Sequence, residues 1–104
     1  MHIKDRITTF QKLGDVFLDI KKTPGFEEIV NQSLIVNPWF TKNNIEYAFI
    51  SLGKMLQAGC LNYWLKSYIV KPKRQQLIGV IIPSNIPLVG FYDFLCVLIS
   101  GNIF

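Results

Sequence analysis

The sequence contains few of the residues from which metal and redox sites are built. Its 104 residues include one histidine, His2, and two cysteines, Cys60 and Cys96, which are far apart in the chain. No CxxC pair and no cysteine–histidine cluster is present, so the spacing of a metal site or a dithiol motif is missing. We expect no metal site, and we expect both thiols to be reduced, as in a cytoplasmic protein.

The sequence also lacks the long apolar run, about 18 residues, that a membrane-spanning helix needs. Its most apolar stretch, 77–104, has Asp93 as its only formal charge, but Pro83 and Pro87 interrupt it. Residues 1–20 do not have the pattern of a secretory signal peptide, because they contain several charged residues: Lys4, Asp5, Arg6, Lys12, Asp15 and Asp19. We expect a cytoplasmic protein for which a membrane partner is unlikely.

Charge of one sign is not abundant either. The net charge is +4, and the only dense basic patch is Lys71-Pro72-Lys73-Arg74. Such a patch can contact phosphate or nucleic acid, but a solvated linker is the commoner role. We expect a linker and no nucleic-acid partner, with phosphate contact as the alternative.

Helical periodicity covers the N-terminal part of the chain. Apolar residues recur every three or four positions over 3–20, and a Thr-Pro-Gly turn follows. The pattern predicts further helices over 26–37, from the N-cap Thr41 as far as Gly59, and over 61–69. Trp39 and Phe40, ahead of the third helix, are expected to pack against it, with the lining of an acyl pocket as the alternative.

A different pattern begins near residue 70. A short apolar run rich in β-branched residues predicts a buried strand of a parallel sheet. The predicted elements are a strand, a loop, a helix and the start of a second strand: 76–82, 83–87, 88–100 and 102–104. Gly101 lies where a helix C-cap is expected. We therefore predict an α/β fold with two parts, a helical region over 1–70 and a βα unit with the start of a second strand over 71–104.

The predicted loop has chemistry that suits a site. Ligands of open α/β sheets bind at the carboxyl ends of the strands, which corresponds here to 82–86. Asn85 carries amide donors that can stabilise negative charge developing on a carbonyl oxygen. The alternative is that Asn85 only caps the helix or lies in a turn.

Several segments of the chain resemble one enzyme superfamily. Residues 79–88, Gly-Val-Ile-Ile-Pro-Ser-Asn-Ile-Pro-Leu, resemble the strand–loop–helix segment that opens the nucleotide-binding domain of aldehyde dehydrogenases. Ser100-Gly101-Asn102 resembles the Ala-Gly-Asn that ends the helix of that segment. Residues 85–93 resemble more closely the acyl-CoA reductase branch, which includes the fatty-acid reductase of bacterial bioluminescence. Residues 37–41 resemble the upstream helix start of that branch.

The sequence departs from that branch at two places. Pro83-Ser84 stands where Ala-Gly is frequent, and Tyr92 stands where histidine is frequent. Pro-X-Asn matches the wider superfamily, so the loop still fits. The role that the branch's histidine has is not assigned to Tyr92. The specific match covers about a quarter of the chain.

The resemblance implies an NADPH-dependent enzyme that reduces a fatty acyl-CoA to an aldehyde through an acyl-cysteine intermediate. It implies that Asn85 is an oxyanion donor, and that Ile82, Pro83 and Ser84 contribute to the cofactor-binding edge. Neither cysteine stands where the catalytic cysteine of the family would be. The sequence is therefore expected to be an N-terminal fragment, inactive alone, of a longer enzyme that forms a homo-oligomer. The resemblance implies that 71–104 is the start of its nucleotide-binding domain.

A second hypothesis belongs to a different class of protein. In it the chain is a small non-catalytic protein that associates with a membrane or with a partner. The amphipathic helices 3–20 and 88–100 would then present their apolar faces to that surface.

Overall fold

A computed structural model of the chain describes residues 2–68, 70–71 and 73–104. These residues form five α-helices, and a short 3₁₀ helix, Ile20–Lys22, follows the first of them. The α-helices are α1 Ile3–Leu18, α2 Phe26–Val36, α3 Lys42–Met55, α4 Ala58–Leu65 and α5 Phe91–Ile99. All five predicted helices are present with shifted ends. The last residue of the predicted helix 61–69, Ile69, lies outside the described residues.

The predicted α/β fold is wrong. The described residues form helices and no sheet, and the segments predicted as strands meet through one isolated parallel bridge, between Leu77 and Ile103. In this bridge Ile78 N–H donates to the Ile103 carbonyl at 2.8 Å, and Ile103 N–H donates to the Gln76 carbonyl at 2.9 Å. A strand is stabilised by its neighbours in a ladder. One bridge supplies too few partners for residues 76–82 to form a strand.

The end of α5 follows from local sequence, as predicted. Gly101 has a φ of 92°, which glycine adopts without a steric cost. The N–H of Gly101 donates to the Leu98 carbonyl at 3.0 Å, and the N–H of Asn102 donates to the Val97 carbonyl at 3.1 Å. These two bonds form a Schellman motif, which satisfies carbonyls that the helix end would otherwise leave unpaired.

The helix cap also places a buried amide. Asn102 is 7% exposed, and its Oδ1 accepts a hydrogen bond from the Gln76 N–H at 3.1 Å. Its Nδ2 donates to the Ser100 hydroxyl at 3.0 Å. Asn102 therefore joins the end of α5 to Gln76, the first residue of the segment predicted as a strand, 76–82.

One hydrophobic core joins the helices on both sides of residue 70. Ten buried residues form it: Phe10, Phe17, Ile20, Phe26, Val30, Ile45, Leu56, Leu61, Leu95 and Ile99. The Phe17 ring lies edge-on to the rings of Phe49, with centroids 5.0 Å apart, and Phe91, 5.5 Å apart. Such edge-to-face pairs are favourable. Together the two pairs join α1, α3 and α5. The predicted division into two parts stays a prediction.

Helices α1 and α3 approach each other closely at two glycines, Gly14 and Gly53. A Cβ atom placed on Gly14 would lie 2.7 Å from the Leu56 Cβ, and one on Gly53 would lie 2.9 Å from the Gly14 carbonyl oxygen. Both distances are shorter than real carbon contacts. The two helices can therefore cross at this separation only because each has a glycine at the contact.

Candidate functional site

The four residues expected to form the site lie on one exposed stretch between the bridge and α5. Pro83, Ser84 and Asn85 are exposed, and the Ile82 side chain is 42% exposed. The Asn85 amide makes no hydrogen bond within the described part of the chain, so it does not cap α5. The N-cap of α5 is instead Gly90.

The loop is held in place by a side chain that the sequence did not single out for this role. Asn37, at the C-terminal end of α2, donates a hydrogen bond from Nδ2 to the carbonyl oxygen of Ser84. The Asn37 Oδ1 accepts from the Trp39 N–H at 3.1 Å, which fixes the turn between α2 and α3. This contact joins residues 37–41 and 79–88, the two segments that resemble the acyl-CoA reductases.

An apolar cavity of about 440 Å³ lies beside this contact. The residues that line it are Ile29, Gln32, Ser33, Val36, Asn37, Phe40 and Ser84. Ile29 is 61% exposed and Val36 is 85% exposed, so the cavity is open to solvent. Ser84, one of the residues that line it, is next to Asn85 in the chain.

The aromatic pair ahead of α3 separates in the structure. Phe40 packs against the core, as expected, and its ring also lines the cavity. The expectation that Trp39 packs is wrong, because its side chain is 83% exposed. The turn that Asn37 holds directs Trp39 away from the helices.

The loop enters α5 through a tight contact. The predicted helix over 88–100 begins later, at Phe91, because residues 87–90 form a turn in which Leu88 has a φ of 58°. The side chain of Ile82 lies directly on Gly90, where a Cβ would be 2.3 Å from the Ile82 Cδ1. Gly90 therefore allows Ile82 to approach the backbone at the start of α5.

The residues expected to contact a nicotinamide cofactor are exposed. Ile82, Pro83 and Ser84 offer two apolar side chains and one hydroxyl to solvent. Among the described residues, the two cavities beside the loop are lined by no lysine or arginine. The loop supplies no cation for the cofactor phosphates, which other residues would have to bind.

Tyr92, the residue that departs from the family pattern, lies one turn from a thiol. Its ring centroid is 5.9 Å from that of Trp64. Interaction with the Cys96 side chain raises the pKa of Tyr92 above the ordinary value of 10.0. In the structure Tyr92 faces Trp64 and Cys96.

We expect the Cys96→Ala variant to lower the pKa of Tyr92 towards 10.0, because the interaction with Cys96 that raises it is lost. A folded-state pKa above the unfolded value stabilises the fold below the unfolded pKa, and this contribution is lost as the pH rises through the folded value. The absorbance of tyrosinate, measured across alkaline pH, would report the shift. Subtraction of the same curve for Tyr92→Phe removes the signal of the other tyrosines.

The matched control for this titration is Cys60→Ala. Cys60 is exposed, and it is not among the groups that shift the Tyr92 titration. This variant should leave the curve unchanged. A Tyr92 titration that is the same with and without Cys96 would contradict the predicted effect of Cys96 on the Tyr92 pKa.

The described residues contain no group of three or more histidine, cysteine, aspartate or glutamate side chains that could bind a metal ion. In the same residues no helix has both the length and the apolar character needed to cross a membrane.

Comparison of the chain with protein-family models, with curated proteins and with solved structures found no match. The resemblance to the acyl-CoA reductases therefore stays a prediction.

Proposed function

We propose that this chain is part of a cytoplasmic, NADPH-dependent acyl-CoA reductase, which converts a fatty acyl thioester to an aldehyde. The observation that carries the proposal is the hydrogen bond from Asn37 to Ser84. It brings together two of the segments, 37–41 and 79–88, on which the resemblance to that family rests. They are far apart in the sequence, so their contact was not part of the resemblance.

In this proposal Asn85 stabilises the reacting carbonyl. Its amide is exposed and makes no hydrogen bond to the described residues, so both N–H groups can donate to an incoming oxygen. Ile82, Pro83 and Ser84 would contact the cofactor, whose chemical contribution when bound is a hydride. Neither Cys60 nor Cys96 lies at the loop in sequence, so the cysteine that accepts the acyl group would belong to another part of the enzyme.

The test uses the polypeptide that contains this chain in the organism that makes it. We expect antibodies against α1 to isolate a polypeptide that takes up radiolabelled acyl groups from a fatty acyl-CoA. Hydroxylamine should release the label, as it does from a thioester, and NADPH should discharge it as an aldehyde. In that polypeptide Asn85→Ala should lower the rate of discharge by about 100-fold, the effect of losing one oxyanion donor.

The matched control is Asn62→Ala, which removes an exposed asparagine from α4. It should leave the rate unchanged. Isolation of a polypeptide that takes up no acyl group would overturn the proposal, and so would an equal rate for Asn85→Ala and the parent.

A non-catalytic interaction protein is the second candidate, and one observation favours it. Ile35, Val36 and Trp39 are each more than four-fifths exposed where α2 ends, and exposed apolar groups of this size often mark interaction sites. Helices α1 and α5 are less suited to the role, because their apolar faces pack in the core. An unacylated polypeptide that binds lipid vesicles, and loses that binding in Trp39→Ala, would favour this candidate.

A further inference from the structure

The extended segment 77–82 exposes apolar side chains and unpaired backbone groups together. It contains no charged residue. Leu77 is 79% exposed, and Ile81 is fully exposed. Exposure alternates along it: Leu77, Gly79 and Ile81 are exposed, while Ile78 and Val80 are half-buried. This period of two is that of a strand with one face turned inward.

One edge of the segment has a partner and the other has none. The Gln76 carbonyl and the Ile78 N–H bond to Ile103, and successive residues of a strand direct these groups to opposite edges. The groups of Leu77, Gly79 and Ile81 therefore point to the other edge. Within the described part of the chain they accept and donate no hydrogen bond.

We infer that this free edge pairs with the same edge of a second copy of the chain, antiparallel, about a two-fold axis at Gly79. Gly79 would then lie opposite its own copy, and Leu77 would lie opposite Ile81 on both sides of the axis. Each of these three pairs belongs to the hydrogen-bonded type, so about six backbone hydrogen bonds would form. Because one patch serves both copies, the interface is closed and the assembly stops at a dimer.

The side chains favour this register. On the exposed face, Leu77 of one copy would contact Ile81 of the other, and the contact would occur twice. Both residues are aliphatic and exposed in the single chain, and cross-strand apolar pairs stabilise a sheet. The Gly79 position is open, since a Cβ there would have no atom within 4 Å.

The basic residues beside the segment disfavour the parallel alternative. Lys73 and Arg74 are exposed, and parallel pairing in register would place each beside its own copy, about 4.8 Å away. In the antiparallel pair the two copies of Lys73 would lie about 40 Å apart, at about 3.3 Å per residue. At that distance salt screens their repulsion. The inference uses the free edge alone and does not depend on the proposed function.

The first test is the mass of the 104-residue chain in solution. Light scattering coupled to size exclusion should give about twice 12.0 kDa, and Ile81→Lys should return the mass to that of one chain. The matched control is Ile35→Lys, which places the same charge on an exposed α2 residue, 83% exposed. It should leave the dimer intact. A single-chain mass at all concentrations, or aggregates unaffected by Ile81→Lys, would overturn the inference.

The second test fixes the register by disulfide formation. In a Cys60→Ser background, which removes the exposed native thiol, Gly79→Cys should cross-link to its own copy. Opposed Cα atoms in a hydrogen-bonded pair are about 5.5 Å apart, within disulfide range. Leu77→Cys should not cross-link alone but should cross-link when mixed with Ile81→Cys. Cross-linking of Leu77→Cys alone, as efficient as that of Gly79→Cys, would disprove the two-fold at Gly79.

Discussion

Gly53→Val should destabilise the chain by about 3 kcal/mol. A Cβ at Gly53 would lie 2.9 Å from the Gly14 carbonyl oxygen and 3.0 Å from the Leu18 side chain. Leu18 can move, but the carbonyl belongs to the backbone of α1, so the helices must separate. Overpacking of this kind costs about 1–3 kcal/mol and occasionally more. Valine is only a slightly better helix former than glycine, so the gain in helix propensity offsets little of this cost. Urea unfolding followed by circular dichroism would measure the loss.

The control for this experiment is the same substitution at another helical glycine. Gly59 lies in the first turn of α4, and a Cβ there would have no atom within 4 Å. Gly59→Val should leave the free energy of unfolding unchanged or raise it slightly, since glycine is a poor helix former. Equal unfolding midpoints for the two variants would show that α1 and α3 do not cross at Gly14 and Gly53.

Leu95→Ala should cost about 2–5 kcal/mol, the range for deleting a buried leucine side chain. Leu95 is 1% exposed and belongs to the core that α5 shares with the N-terminal helices. If the helices on both sides of residue 70 unfold together, the variant should lower one cooperative transition. Thermal and urea unfolding, followed by both far-ultraviolet circular dichroism and tryptophan fluorescence, would show whether one transition shifts.

Ile35→Ala is the control for Leu95→Ala. Ile35 is 83% exposed, and surface substitutions of this kind usually change stability by about 0.5 kcal/mol or less. A Leu95→Ala variant as stable as this control would mean that α5 is not part of the core. Two separate transitions would instead support the predicted division near residue 70.

The features that could be predicted from the sequence are those that depend on adjacent residues. Thr41 was expected to be an N-cap, and its hydroxyl accepts from the Asn44 N–H at 3.1 Å. Gly101 was expected to end α5, and its φ of 92° allows the cap. In both cases the backbone group that needs a partner lies within a few residues of the side chain or the glycine that supplies it. Neighbouring residues are visible in a sequence.

The features that were missed depend on residues far apart in the chain. Residues 76–82 have the composition of a buried strand, but a strand forms only with neighbours. Among the described residues, Ile103 alone forms a β-bridge with them. The approach of α1 to α3 requires Gly14 and Gly53 together, and neither glycine alone suggests it. The contact of Asn37 with Ser84 spans 47 positions.

Gly59 shows a smaller error, and this one has a local origin. It was expected to interrupt the chain between two helices, yet it lies inside α4. The N–H groups of a first helical turn have no partner within the helix in any case. Glycine is therefore tolerated there at a lower cost than in the middle of a helix.

The cap of α5 has a consequence for the order in which the chain folds. Asn102 can accept from the Gln76 N–H only after the turn at Gly101 has oriented it, and that turn exists only when α5 is formed. Helical turns form within about a microsecond, whereas contacts between distant residues must first close a loop. The chain should therefore build its helices early and attach the segment 76–78 last, so that this attachment is the first contact to open when the native state fluctuates.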